Sequence, residues 1–308
     1  MQPTVSQSIA SFKSSKKIRF LLKAITQVIQ EKRTTELLYN FYCLLFFQPS
    51  RVKNCDNKQL QKIICEFVSL YSNKFFFYRE HLISDFGKDY DVHSLPDDFE
   101  LVRSNNVAQT NSFLIVGEYG NNSARIAHIT KKSCVINNFY EDCQGVRHIH
   151  AVYLDEQNGN AFITTGDTSK FLDLWKINDK EAAFVKRLKS RFAGYTAIAK
   201  VNGNYYFGTD FSSRPNYIES LSGKKYFFPK QAYLKQCVLF YSILERYIVA
   251  INAAMPEFGC LKTVSIFDVL KEEFIFCNDL TSELSDVIEA ILKISSEQNQ
   301  NASSMNKT

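Results

Sequence analysis

The chain has 308 residues, 45% of them apolar, and a net charge of +5, enough for one large all-β domain or two smaller ones. The charge is mild and scattered, which argues against nucleic acid as a partner, and no stretch is long and apolar enough to span a bilayer. Aromatic residues reach 14%, with 26 Phe and 16 Tyr, an enrichment that favours strands.

Taken in chain order, residues 1–57 form an N-terminal extension without the pattern that follows. Within it, Lys13–Lys32 is basic, with Ile18, Leu21, Leu22, Ile25, Val28 and Ile29 at helical spacing. One reading is a helix packed on the rim of the folded domain. The other is a helix at a membrane surface, drawn there by Lys13, Lys16, Lys17, Arg19 and Lys23. Leu37–Phe47 is a dense apolar run that fits helix or strand.

From about residue 58 to 280 the chain reads as short strands. Phe67–Tyr71 with Lys74–Glu80 begin the series. Phe113–Glu118, Arg125–Thr130 and Cys134–Tyr140 follow. Next come His150–Leu154 and Ala161–Thr165, joined by the turn signal Asn158-Gly159-Asn160. Leu172–Ile177 and Ala182–Leu188 complete a set of four. The plan then repeats with Tyr195–Val201, Tyr205–Thr209, Asn216–Leu221 and Lys225–Phe228. It repeats again with Cys237–Leu244, Tyr247–Asn252, Thr263–Val269 and Glu273–Cys277. Four strands recurring about every forty residues is the signature of β-propeller blades. The fold expected is therefore all-β: a β-propeller of five to six four-stranded blades, with an N-terminal helical addition and a short C-terminal one. Residues 281–308 supply the latter, with Leu284, Val287, Ile288, Ile291 and Leu292 as an amphipathic stripe before a polar tail.

In such a blade the loop entering the first strand and the loop leaving the second open on one face. The unusual polar residues gather in those loops: Glu118, Tyr119, Arg147, His148, His150, Asp167, Asp210, Asn216 and Glu257. A hairpin between the strands that follow Arg147 and precede Asp167 returns Arg147, the two histidines and Asp167 to one sheet edge. His148 and His150 share side-chain parity along a strand, so both are expected to face the channel. An imidazole beside a carboxylate suits general acid–base work. His148, His150 and Asp167 are thus the candidate catalytic residues; Glu118, Tyr119, Arg147, Asp210, Asn216 and Glu257 are the candidates for ligand binding. Gly166 and Gly208, at the tips of these loops, are expected to serve either a left-handed backbone or a close approach. Tyr195, Tyr205 and Tyr206, like Tyr119, offer rings for stacking on sugars or for blade packing.

The segments GEYGNN (117–122), VRHIHAVYLD (146–155), ITTGD (163–167), FGTD (207–210) and NYI (216–218) resemble bacterial BNR-type, sialidase-like β-propellers associated with surface-polysaccharide biosynthesis. The match spans about residues 60–260. The resemblance implies a propeller with a polar upper face and a carbohydrate or glycosylated intermediate as ligand. Thr196 stands where that family has Arg, and the turns at Lys131–Val135 and Asn178–Ala182 are degenerate forms of its Asp-box.

Eight cysteines occur without a CxxC pair or Cys–His spacing of metal-ligand type, and no secretory signal is evident. These features read as reduced thiols in a cytoplasmic protein, with no metal or cofactor expected. Three function classes follow: a glycan-binding propeller, a hydrolase or lyase using imidazole and carboxylate, and a non-catalytic protein-interaction scaffold.

Overall fold

A computed structural model describes residues 42–43, 45–70, 77–120, 124–143, 145–167, 169–190, 193–212, 214–254 and 262–280. The basic helix expected within Lys13–Lys32, residue Glu257 and the C-terminal helix lie outside the described residues. Among the described residues, sixteen strands form four antiparallel sheets, each a simple meander of four. Blade 1 holds β1 (Val107–Gln109), β2 (Phe113–Gly117), β3 (Ile126–Thr130) and β4 (Cys134–Asn137). Blade 2 holds β5 (Val146–Asp155), β6 (Asn160–Asp167), β7 (Leu172–Ile177) and β8 (Ala182–Lys189). Blade 3 holds β9 (Tyr195–Val201), β10 (Asn204–Thr209), β11 (Tyr217–Ser220) and β12 (Lys225–Phe227). Blade 4 holds β13 (Gln236–Ile243), β14 (Tyr247–Ala253), β15 (Lys262–Asp268) and β16 (Glu273–Leu280). This is the all-β propeller that the forty-residue repeat implies.

Turn chemistry sets the hairpins. Asn202 and Gly203 both take positive φ, at 49° and 73°, which is the two-residue geometry whose twist matches paired strands. Leu244 and Glu245 do the same between β13 and β14, at 52° and 50°, with no glycine or asparagine to announce it.

Alternation along the second and third strands gives every blade two apolar faces. In β2, Phe113 and Ile115 pack toward Ile149, Ile163 and Trp175 of blade 2, while Leu114 and Val116 face the other way. Blade 2 meets blade 3 through Phe162, Leu172, Tyr195 and Phe207. Blade 3 meets blade 4 through Ala197, Tyr206, Ile218, Ile248, Phe267 and Phe274. Two faces remain at the ends of this row, and helical chain covers both. Helix α1 (Asn57–Leu70) lays Ile63 and Phe67 on Val249, Ile251, Val264 and Ile266 of blade 4. Helix α2 (Arg79–Phe86) and the chain to Leu101 cover blade 1 with Phe77, Leu82, Val92, Leu95 and Phe99.

The early copy of the repeat expected at Phe67–Tyr71 and Lys74–Glu80 is corrected here. Phe67 ends inside α1 and Glu80 begins α2. The described residues hold four blades rather than five or six. A short apolar run does not distinguish strand from buried helix, and here the face to be covered favoured the helix.

Polar ties brace the blades internally and across their seams. The Tyr140 hydroxyl donates to Asp173 Oδ2 at 2.9 Å, and Arg187 Nε donates to Asp173 Oδ1 at 2.9 Å. Glu219 of blade 3 accepts from the Tyr195 hydroxyl at 2.6 Å and from Lys189 of blade 2. At the lower face Asp155 of blade 2 accepts from Lys200 at 2.9 Å and from Tyr205, both of blade 3. Buried carboxylates of this kind are tolerated because each is paired and hydrogen-bonded.

Candidate functional site

The upper ends of the inner strands share a distortion. Between β5 and β6 the register shifts on either side of Ile149, so that Ile149 pairs with Thr165 and Ala151 with Thr164, leaving His150 as an extra residue. The same shift leaves Thr196 extra in β9 and Val238 extra in β13. A bulge re-aims the side chains around it. Here His148 is half-buried and His150 is 3% exposed, with ring centroids 6.4 Å apart.

A turn from outside the blades fills the axis beneath this rim. Ser104–Asn106 is a short 3-10 turn just before β1. From it the Asn105 side-chain amide donates to Thr196 O at 2.6 Å and to Val238 O at 2.7 Å. The amide thereby joins the bulge carbonyls of blades 3 and 4.

His150 sits on the floor of the mouth. Gly166 lets it lie there: a Cβ at that position would fall 1.7 Å from His150 Nε2. Gly208 likewise leaves room for neighbours, with Cys237 Sγ 2.5 Å and Phe240 Cζ 2.6 Å from the position of a Cβ. Neither glycine takes a left-handed φ, so close approach is the reason for both. His150 Nδ1 stands 3.4 Å from Asp210 Oδ2, without the alignment of a hydrogen bond. Burial pushes the His150 pKa well below the ordinary histidine value, and Arg103, Lys170 and His148 push it the same way; a contact with the Tyr195 backbone opposes them. His150 is therefore held as a neutral imidazole at neutral pH. Burial also drives the Cys237 thiol well up, with Asp210 adding to the effect, so no thiolate forms here.

Around His150 lie half-buried groups. The loop leaving β2 pairs with β5 through an isolated bridge between Tyr119 and His148, and their rings are 3.9 Å apart. Tyr119 also stacks at 6.0 Å on His150. The Arg103 guanidinium lies 5.1 Å over the Tyr119 ring and within 3.5 Å of its hydroxyl. On the blade 3 side, a Cβ on Gly194 would meet Asp210 Oδ1 at 3.0 Å and Lys170 Cδ at 3.1 Å. That places the lysine stem beside the carboxylate. Arg214 is 1% exposed, with its guanidinium 3.3 Å over the Phe211 ring.

The structure thus brings Tyr119, His148, His150 and Asp210 together. Other candidates are placed differently. Glu118 is 2% exposed and is held by Arg125 through Nη2 at 2.6 Å and Nε at 2.8 Å. Asn216 braces its loop, accepting from Phe211 N at 2.7 Å and Thr209 Oγ1 at 3.0 Å. Arg147 is exposed, and no contact among the described residues draws it to the histidines. Asp167 ends β6 opposite Val146, and its side chain lies outside the described atoms; among those described, Asp210 of the next blade faces His150. Of the tyrosines, Tyr195 is tied to Glu219 and Tyr205 to Asp155 at the opposite face, while Tyr206 packs between blades. Arg103, Asn105 and Lys170 were missed by sequence reasoning. They sit in loops without a motif, and only the packing of the blades against one another carries them to the mouth. Among the described residues no cluster of His, Cys, Asp and Glu is placed to hold a metal ion, and no helix is long and apolar enough to cross a membrane.

No family model and no curated protein matches the chain. Among solved structures it is similar to the Dos1 propeller, with 13% identity and a TM-score of 0.39 over 60% of this chain and 49% of that one. It is also similar to a eukaryotic initiation factor, with 8% identity and a TM-score of 0.34 over 58% of this chain and 56% of that one. The chain spans about half the length of these structures.

Proposed function

We propose that the upper mouth of the propeller binds a carbohydrate or a glycosylated intermediate, in the surface-polysaccharide setting that the resemblance to BNR-type propellers implies. The observation that carries this reading is the half-buried Tyr119–His148 pair over the buried His150. An aromatic face beside fixed imidazole nitrogens suits a sugar, which presents apolar C–H surface and hydroxyls together. Asp210 adds an acceptor for hydroxyl groups.

A second reading, a hydrolase or lyase, draws on the 3.4 Å approach of His150 to Asp210. It is the weaker of the two. A neutral imidazole keeps one N–H but is a poor general acid, which leaves His150 the role of a base only. Hydrolysis of a glycoside by two carboxyl groups needs them about 5–9 Å apart, and Glu118 is committed to Arg125.

A glycan-array screen of the purified chain, followed by calorimetric titration of the best binder, tests the proposal. Tyr119→Ala and His148→Ala are each expected to weaken binding roughly 10- to 100-fold with little change in melting temperature. Binding that survives both substitutions would refute the assignment.

A further inference from the structure

We infer that the ligand held at this mouth carries an acidic group, a carboxylate or a phosphate, and that Arg103 and Lys170 receive it. The inference rests on the carbohydrate reading for its location and adds the chemical class.

The argument starts from which charges meet there. Arg103 arrives on the turn that plugs the axis and is kept beside Tyr119, half-buried, 5.1 Å over the ring. Lys170 arrives from the loop between β6 and β7. Its stem rests against Gly194 beside Asp210, and its ammonium lies 5.2 Å over the Phe211 ring. Arg214 sits against the same ring. Two cations from separate loops, Arg103 and Lys170, thus act on the buried imidazole. The carboxylates of this rim are Asp210 and, by its place at the end of β6, Asp167. With both counted as ionised they match Arg103 and Lys170 in number, so it is the placement of the two cations, not a net positive charge, that would hold an anion.

Position separates the roles of the three cations. Arg214 is sealed at 1% exposure and serves the fold. Arg103 and Lys170 are half-buried, so each reaches the mouth while being partly shielded from water, where a charge-assisted hydrogen bond is strongest. Both also act on His150 in the same sense, disfavouring its charged form, which places their positive field at the mouth. An arginine held against an aromatic ring is preorganised, so less rotamer freedom is lost when an anion docks. None of this follows from a sugar's neutral hydroxyls, for which one acceptor and one ring suffice.

The test is calorimetric titration of the full chain with matched oligosaccharides: a neutral one, one containing glucuronic acid and one bearing a phosphate, each at about 50 and 300 mM salt. At least one acidic ligand is expected to bind about tenfold or more tighter than the neutral one, and high salt should shrink that margin. Arg103→Met and Lys170→Met, which keep length and remove charge, should each erase most of the margin while leaving the melting temperature and the affinity for the neutral sugar nearly unchanged. Which acid wins identifies carboxylate or phosphate. Equal affinity for neutral and acidic sugars overturns the inference and leaves the carbohydrate reading intact, and so does a margin that both substitutions leave unchanged. Inorganic pyrophosphate serves as a sugar-free probe. Its binding through Arg103 and Lys170, with no sugar bound, would uphold the acidic site and overturn the carbohydrate reading. Failure of every probe overturns both.

Discussion

His150 is fixed from three sides: by the absent side chain of Gly166, by Asp210 at 3.4 Å and by the Tyr119 ring at 6.0 Å. Adding one methyl group at Gly166 forces the buried imidazole to move. Gly166→Ala is therefore expected to destabilise the protein by about 1–3 kcal/mol, the usual cost of overpacking. In a His150→Ala background the space is already empty, so the same change should cost much less. A double-mutant cycle by chemical denaturation measures the difference, and equal costs in both backgrounds would refute the packing argument. The protonation of His150 gives a second prediction. Its pKa is lowered on folding, so below about pH 6.5 the unfolded chain takes up a proton that the folded one refuses. Stability must then fall as pH drops through that value, by up to about 1.4 kcal/mol per unit, and the group contributes nothing to the slope well above it. His128, also lowered by burial, adds to the same fall. Comparing the wild type with His150→Gln at pH 7, 6 and 5 isolates the His150 share. The variant should lose less stability over this range, and parallel profiles would refute the assignment.

At the scale of elements, the strands with clean alternation and flanking turn signals were legible. The sequence places β7 at Leu172–Ile177 and β9 at Tyr195–Val201, and the structure has the same bounds. Each pairs along its length with neighbours of matched pattern. The three-residue β1 carries too little period to be seen. The first part of the chain misleads for a different reason. Ile63, Ile64 and Phe67 are buried because blade 4 needs a cover, and that need is tertiary. The site was half legible. His148 and His150 stand out as polar residues at the start of an inner strand, but the bulge that separates their environments depends on how β5 meets β6. The expected partnership of His150 with Asp167 follows from the hairpin, and the Asp167 side chain lies outside the described atoms. The hairpin does bring β6 against the ring, at Gly166, and the inner strand also borders the next blade, from which Asp210 reaches His150.

For the whole molecule, the central question is what holds the row of blades around its axis. Each seam has its apolar cluster, and the two terminal faces have their helical covers. Neither device connects blade 1 directly with blades 3 and 4. Asn105 does so, because it lies two residues before β1 and donates to carbonyls in β9 and β13. Both carbonyls belong to bulge residues, which have left the regular ladder and have fewer backbone partners within reach. Losing the amide therefore leaves two partly buried acceptors short of a donor. Asn105→Ala is expected to cost about 1–3 kcal/mol in chemical denaturation. Asn105→Asp separates hydrogen bonding from shape. It keeps the side-chain volume, but at neutral pH it replaces a two-proton donor with a carboxylate aimed at two carbonyl oxygens. It should be more destabilising than alanine, and should recover part of the loss as pH is lowered and the carboxyl group becomes protonated. An aspartate variant as stable as the wild type at pH 7 would show that the turn only fills space. The expected order, wild type above alanine above aspartate, makes this single amide the clasp that draws the chain before the first blade into the axis.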